Sequence, residues 1–375
     1  MSMSEVAQLT SKLIGLNSQT STSNTDLAQF ITDFVQPFAS EIEPIDYIDS
    51  NGNRKVSLVV RVGEGEGGLA LSAHLDTVPG IGWDTDPFGP RIVEDRLYGL
   101  GSCDMKGPLA CILLAARAYT TGQEAKPLTL LLSTDEEIDT EGARRIASES
   151  TILESVQPEY CVIAEPTSLE VAYSHKAAIT FTGETHGKAA HSSTGEGINA
   201  NIEMIPFLHD MWGLYKDLTE KQEYMDPEFQ PPYPDWNIVV NNFDTAPNVT
   251  VPISRCTINF RYGPQLDPNP IVRRVEESAF TNGVKLRYWS SGNPLFTPQN
   301  SSIVRLALEA TGQNAAVTVP YRTDACILQS VLPCVVLGPG GYLQAHTVNE
   351  WISINQLHKA VEIYKALTKS VCNKR

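Results

Sequence analysis

His74 and Asp76 close an apolar run, Leu69-Ala-Leu-Ser-Ala-His74-Leu-Asp76. Side chains two apart on a strand point to one face, so imidazole and carboxylate can meet. A carboxylate that accepts one ring N–H leaves the other nitrogen free for a metal ion; a surface His–Asp pair is the plainer alternative. Asp104 lies between glycines in Gly99-Leu-Gly-Ser-Cys-Asp104-Met-Lys-Gly107, directly before a helical pattern. There it either reaches ligands from another strand or caps the helix. Leu130-Leu-Leu-Ser-Thr-Asp135-Glu136-Glu137 ends in three adjacent acids, which repel one another unless cations neutralise them; a solvated acidic turn is the alternative. Val162-Ile-Ala-Glu165-Pro166 ends a further apolar run in an acid, and His346 follows the glycine-rich Gly338-Pro-Gly-Gly-Tyr-Leu-Gln-Ala-His346. Together these residues make a mixed N/O donor set suited to zinc or a similar divalent ion. The carboxylates suffice for two ions sharing one bridging group. No thiolate is needed, and Cys103, beside Asp104, reads as packing.

The donors must be positioned by strands and helices. Val6, Leu9, Leu13 and Ile14, then Leu27, Phe30, Ile31, Phe34 and Val35, have helical spacing. Val56–Val62, Leu69–Ala73, Leu128–Ser133 and Tyr160–Ala164 read as strands, alternating with helices Lys106–Tyr119 and Gly142–Ser148. That rhythm predicts an α/β sheet, and ligands of such sheets bind beyond the carboxyl ends of the strands. After Glu165 the texture changes. Val171–Thr185 holds two extended segments, followed by a helix over Asn199–Leu218 and a Pro-rich loop, Lys221–Asp235. Strands Trp236–Phe243 and Ile253–Tyr262, helix Asn269–Phe280 and the extended Lys285–Ser290 complete an α+β unit. The α/β rhythm then returns with helix Ser302–Thr311, strand Ala316–Pro320, helix Asp324–Val331, strand Cys334–Leu337 and helix Ile354–Val371. We therefore expect a metal-binding domain of residues 1–175 and 291–375, interrupted by an inserted domain of residues 176–290.

Composition narrows the function. Of 375 residues, 28 are Lys or Arg and 44 Asp or Glu, a net charge of −16. So acidic a surface repels phosphate backbones and anionic membranes, so neither nucleic acid nor membrane is an expected partner. Met1 to Leu16 has no basic segment followed by an apolar core, so no signal peptide is expected. Seven cysteines without a CxxC pair fit a reducing cytosol rather than a disulfide framework.

The segments AHLDTVP, GLGSCDMKG, STDEE, AEPTS, GKAAHSS and GPGGYLQAHTVNE, in this order, resemble the co-catalytic dinuclear zinc amidohydrolases. That family includes acetylornithine deacetylases, succinyl-diaminopimelate desuccinylases and aminoacylase/carboxypeptidase relatives. AEPTSLE, the following SHK and the GPG…QAH element lie nearest the acetylornithine deacetylase branch. The resemblance implies a mixed-sheet zinc-hydrolase catalytic domain with an inserted α+β lid/dimerisation domain, two divalent ions (zinc or cobalt), a small N-acyl amino acid as substrate and a homodimer through the inserted domain. It implies His74 as ligand of the first ion, oriented by Asp76; Asp104 as the bridge; Glu165 completing the first site; and Glu137 and His346 forming the second. Glu136 matches the general acid/base. His191 matches a residue that stabilises the tetrahedral intermediate, in some members from a partner subunit. Asn248 and Arg261 match contacts to the substrate carboxylate, although Tyr-Gly-Pro follows Arg261 where the family often has Pro-Leu-Pro-Gly.

Two divalent ions about 3.5–4 Å apart can lower the pKa of a water between them towards ~7. Glu136 would take its proton and return it to the leaving amine, and Arg261 could grip an α-carboxylate with two donors. The expected reaction is deacetylation of N2-acetyl-L-ornithine in arginine biosynthesis. Acetylcitrulline deacetylation, desuccinylation and dipeptide hydrolysis are the alternatives within the family, and a catalytically silent binding protein the alternative outside it. His175, His186, His209 and His358 lack ligand-like spacing. Glu350 either orients the His346 loop or is a solvated acid, and Arg322 and Asp324 either touch substrate or cap a helix.

Overall fold

A computed structural model describes residues 3–119, 125–242 and 246–373. The chain divides into two compact units. The first comprises Met1–Ser174, Leu295–Thr318 and Thr323–Arg375; the second comprises His175–Pro294 with the short return Val319–Arg322.

Among the described residues the first unit is built on a nine-stranded mixed sheet. Along its main path the order is Glu41–Ile48, Arg54–Val62, Leu128–Ser133, Leu69–His74, Tyr160–Ile163, Cys334–Val336, Ala172–His175 and Leu295–Phe296, with Val317–Val319 paired off this path. Four adjacent strands, from Leu128–Ser133 to Cys334–Val336, run parallel. Leu69–His74 and Leu128–Ser133 are buried at every residue, as expected of parallel strands covered on both faces. Helix Gly107–Ala118 is likewise buried along nearly its whole length, and the closing helix Ile354–Cys372 packs Leu357, Tyr364 and Leu367 into the same core.

Among the described residues the second unit has a four-stranded antiparallel sheet, ordered Asp235–Asn242, Ile253–Tyr262, Ala177–His186, Lys285–Ser290. Ile253–Tyr262 alternates half-buried and buried residues, the period-two pattern of a sheet with one covered face. Cys256, Ile258 and Phe260 are buried, as are Phe181 of the neighbouring strand and Phe207 and Met211 of helix Ala200–Glu220.

The departures from expectation are local. The strand expected over Trp236–Phe243 runs Asp235–Asn242, and Phe243 lies outside the described residues. The helix expected over Asp324–Val331 is only Ala325–Leu328. Glu41–Ile48 is a strand the pattern does not announce: it carries Pro44 and three acids and lies at the sheet edge, the position that tolerates proline. Three-residue strands Arg91–Val93, Arg96–Tyr98 and Trp351–Ser353 form a small separate sheet, too short to show any period.

Candidate metal centre

Each of the four adjacent parallel strands leads to a candidate ligand at or beyond its carboxyl end. Leu69–His74 ends in His74, paired in register with Ser133. Leu128–Ser133 leads to Glu136 and Glu137, Tyr160–Ile163 to Glu165, and Cys334–Val336 to the loop bearing His346. Asp104 comes from Ser102–Lys106, an irregular turn before helix Gly107–Ala118 in which Asp104 and Met105 have non-helical backbones and the Asp104–Met105 peptide is cis. Two glycines allow the loops to close. Gly101 has φ +77°, and a Cβ there would lie 2.7 Å from Thr77; Gly340 has φ +83°, and a Cβ would lie 2.5 Å from the Cys103 sulfur.

Two triads result, sharing one carboxylate. His74, Asp104 and Glu165 form the first, and Asp104, Glu137 and His346 the second; within each, one ligand atom per residue lies within 4.8 Å of the others. His74 Nε2 is 3.0 Å from Asp104 Oδ1 and 3.6 Å from Glu165 Oε1. His346 Nε2 is 3.0 Å from Glu137 and 3.4 Å from Asp104 Oδ2. Asp104 thus turns one oxygen to each histidine. In the first triad His74 and Glu165 are buried and the shared Asp104 nearly so, whereas the His346 side chain is 54% exposed.

The charges are strongly coupled. Burial pushes Glu137 up to about 7, with the Asp104 charge adding to it, and pushes Glu165 well above the usual carboxylate range. Asp104 is instead lowered, because hydrogen bonds from His346 and His74 outweigh its burial. Burial opposes a proton on His74, but Asp104, Asp76 and Glu165 raise it well above the ordinary imidazole value. Hydrogen bonds to Asp104 and Glu137 raise His346 to about 11. Carboxylates clustered around two imidazole nitrogens call for positive charge, and the mixed N/O donors suit a divalent cation at each triad.

Asp76 departs from the expected geometry. His74 Nδ1 lies 3.1 Å from the Asp76 backbone carbonyl, while the carboxylate is farther, at 3.6 Å. The carboxylate instead accepts the backbone N–H groups of Glu136 at 3.2 Å and Glu137 at 3.0 Å. Asp76 therefore orients His74 through its main chain and the Glu136–Glu137 turn through its side chain. Asp135, the first of the three acids, lies outside both triads. It has φ +57°, lies 2.9 Å from the buried ammonium of Lys55 and accepts a 2.5 Å hydrogen bond from Tyr47.

Sequence reasoning left Glu350 and Asp324 undecided. Glu350 is 1% exposed and accepts the N–H groups of Gly101, Cys103 and Asp104 at 2.9, 2.7 and 2.9 Å. Burial and the Asp104 charge push it up to about 8, with those three donors pulling the other way. Asp324 makes no side-chain cap; its buried carboxyl bonds to the Ser133 hydroxyl and is pushed up to about 7 by burial and then by Glu136. Arg322 groups with the second unit.

The second unit brings His191 and Asn248 together. His191 pairs with Val249, and the Asn248 carbonyl accepts the Ser192 N–H at 2.8 Å. The His191 ring is exposed and its Nδ1 is 2.8 Å from the Ser193 hydroxyl. Arg261 is not with them. It sits near the other end of Ile253–Tyr262, opposite Ala178 and Asp235, and eight residues of strand separate it from Ile253, roughly 26 Å at ~3.3 Å per residue. Arg261 and Asn248 of one chain therefore lie too far apart to hold the same small carboxylate. Among the remaining histidines, His186 pairs with Glu184 at 2.8 Å, and His175 is buried with Nδ1 against the Lys176 carbonyl at 2.9 Å.

The acetylornithine deacetylase of Aliivibrio fischeri is 31% identical over 373 aligned residues, covering 97% of this chain and 96% of its own. An M20 family metallo-carboxypeptidase from Sulfolobus solfataricus superposes with a TM-score of 0.79 at 18% identity, covering 98% of this chain and 99% of that one. A dipeptidase from Saccharomyces cerevisiae gives a TM-score of 0.78 at 17% identity, covering 97% and 95%. With residues 70–370 matching its sequence pattern, and hydrolase chemistry running through its named relatives, the chain belongs to peptidase family M20/M25/M40 and is a hydrolase.

Proposed function

We propose that this hydrolase is a dinuclear metal-dependent N-acyl-amino-acid deacetylase, with N2-acetyl-L-ornithine, cleaved to ornithine and acetate, as its substrate. The observation that carries the reading is the pair of triads joined by Asp104, with Glu136 directly beside the ligand Glu137. Identity of 31% to a full-length acetylornithine deacetylase supports the substrate. Zinc or cobalt ions, held by His74, Asp104 and Glu165 and by Asp104, Glu137 and His346, would supply Lewis acidity to the amide carbonyl and acidify the attacking water.

The remaining work falls to side chains. Glu136 takes the proton from the water whose oxygen attacks the acetyl carbon, and returns it to the nitrogen as the C–N bond breaks. Asp76, by holding the Glu136 and Glu137 amides, keeps base and ligand in fixed register. Arg261 pairs with the α-carboxylate as a charge-assisted donor. His191 offsets the charge on the developing oxyanion. The strand length between Arg261 and the His191–Asn248 pair supports a homodimer in which a second copy of the chain supplies one of the two. The ammonium of ornithine suits a chain of net charge −16.

Steady-state assays of the zinc-loaded protein on N-acetyl amino acids, N-succinyl-diaminopimelate and dipeptides test the assignment. The expected result is the highest kcat/KM on acetylornithine. A wide preference for acetylcitrulline or acetylmethionine would remove the substrate and keep the deacetylase; turnover of dipeptides alone would remove both.

A further inference from the structure

We propose that Glu350 is a positioning residue of the metal centre. Its carboxylate locks the loop of the shared ligand Asp104 to the loop of His346 and thereby governs binding of the second divalent ion. This rests on the dinuclear reading above.

Three observations carry it. The first is the carboxylate's setting. Glu350 is buried, and its two oxygens divide their work: Oε2 accepts the Gly101 N–H, while Oε1 accepts those of Cys103 and Asp104. Successive backbone N–H groups converging on one anion form a nest, which fixes the local backbone. Asp104 and Met105 lie outside helical geometry, so no regular helix holds this turn in place of Glu350.

The second is the register between the loops. Trp351, the next residue, pairs with Tyr98 in the small sheet, and the Gly99 N–H donates to the Glu350 carbonyl at 3.1 Å. The ladder thus runs from Ser353 and Arg96 towards the ligands, and the Glu350 carboxylate is its last rung before Asp104. The third is the link to His346. Glu350 N–H donates to Thr347 at 3.2 Å, and the Thr347 hydroxyl donates to the Gln344 carbonyl at 2.7 Å. The turn that carries His346 is thereby closed onto the residue that holds Asp104.

The two triads depend on this lock unequally. His74 and Glu165 are set by the ends of buried parallel strands, and only Asp104 of the first triad is reached by Glu350. In the second triad both Asp104 and His346 lie on the locked loops. Loss of the carboxylate therefore weakens the second ion more than the first. A merely structural role would lower stability and leave the relation between the two affinities unchanged.

The test uses the zinc-loaded full chain of the parent, Glu350→Gln and Glu350→Asp. A chromophoric chelator extracts the ions, while melting temperature and the visible absorption of cobalt-loaded samples are followed alongside. Gln offers one oxygen and turns an N–H₂ group towards a backbone donor; Asp keeps the charge but withdraws it by one methylene. The expected result is two ions in the parent, the second weakened by roughly 10- to 100-fold in Glu350→Gln, in the range seen when groups supporting metal ligands are removed. The first ion should weaken less, Glu350→Asp should fall between, and the cobalt absorption should change. Native affinity for both ions in either folded variant overturns the proposal, as does an equal loss at both. If Glu350→Gln does not fold, Glu350→Asp alone decides. A parent that never takes a second ion overturns the dinuclear reading, and this inference with it. No substrate enters the experiment, so failure of the acetylornithine assignment leaves it untouched.

Discussion

The two units place polar residues by different rules. Leu69–His74 and Leu128–Ser133 are buried along their full length, whereas Ile253–Tyr262 alternates. A strand covered on both faces cannot carry an unpaired charge along its length without burying it. Its chemistry collects at the carboxyl end, and four parallel neighbours bring four such ends together. An antiparallel strand with one half-exposed face can carry a polar side chain at every second residue, so its chemistry is spread: His191 and Asn248 at one end, Arg261 at the other. Concentrated charge in the first unit is a consequence of topology, and the second unit carries its candidate side chains singly.

The comparison ranks the effects of substitution. Asp104→Ala removes the one ligand common to both triads; neither ion should be retained on elemental analysis, and activity should fall to background. Retention of both ions would show that the triads do not share a bridge. Glu136→Gln should keep both ions and lower kcat by ~10²–10⁴, the range for a lost general acid/base; near-native kcat would remove Glu136 from the reaction. Arg261→Ala, in the second unit, removes one charge-assisted contact worth ~1.5–3 kcal/mol, so kcat/KM should drop roughly ten- to a hundredfold. Amidation of the substrate carboxylate should then harm the parent enzyme far more than this variant. An equal loss for both would show that Arg261 is not the clamp.

Stability sharpens the contrast inside the first unit. In metal-free protein, His74→Ala leaves Asp104 and Glu165 buried without their imidazole, and breaking such a buried pair costs ~3–5 kcal/mol. His346→Ala removes a side chain that is 54% exposed, and solvent screening limits the loss to about 1 kcal/mol or less. Urea denaturation of the two variants measures the difference. Equal losses would mean that the two triads do not differ in burial in solution.

These differences also mark what could be read from the chain. Long apolar runs ending in His74, Glu136–Glu137 and Glu165 announce both the strands and the cluster of candidate residues at their ends, because in a parallel sheet burial and strand end coincide. Asp135 misleads, since its role depends on Lys55 and on Tyr47, and the strand bearing Tyr47 contains Pro44 and three acids and shows no apolar pattern in the sequence. Asp76 is in the right place with a different task, because spacing predicts that two side chains share a face but not which of two acceptors an imidazole takes. Glu350 lies four residues after His346 and carries no signal of burial; what distinguishes it from a solvated acid is a turn of backbone N–H groups nearly 250 residues earlier in the chain. The separation of Arg261 from Asn248 follows from strand direction alone, and an extended Ile253–Tyr262 already contains it.

Two buried histidines give the comparison opposite signs. His74 is surrounded by carboxylates and raised; His175, where the second unit begins, is held down to about 4 by burial and the Arg322 charge, against its hydrogen bond to Lys176. In the unfolded chain both titrate near ~6.5. Between pH 6.5 and about 4 the unfolded chain binds a proton at His175 that the folded protein refuses, so its contribution is full above pH 6.5 and is lost on acidification, by at most about 3 kcal/mol. His74 behaves in reverse in metal-free protein: its contribution is full below pH 6.5 and is lost as pH rises through its raised folded value. Urea denaturation of metal-free parent, His175→Asn and His74→Ala from pH 8 to pH 4 separates the two. The stability gap between parent and His175→Asn should narrow as pH falls, and the gap between parent and His74→Ala should widen. Parallel curves for His175→Asn would mean that this histidine is protonated in the folded protein as readily as in the unfolded chain, and that it is not the neutral counterpart of His74.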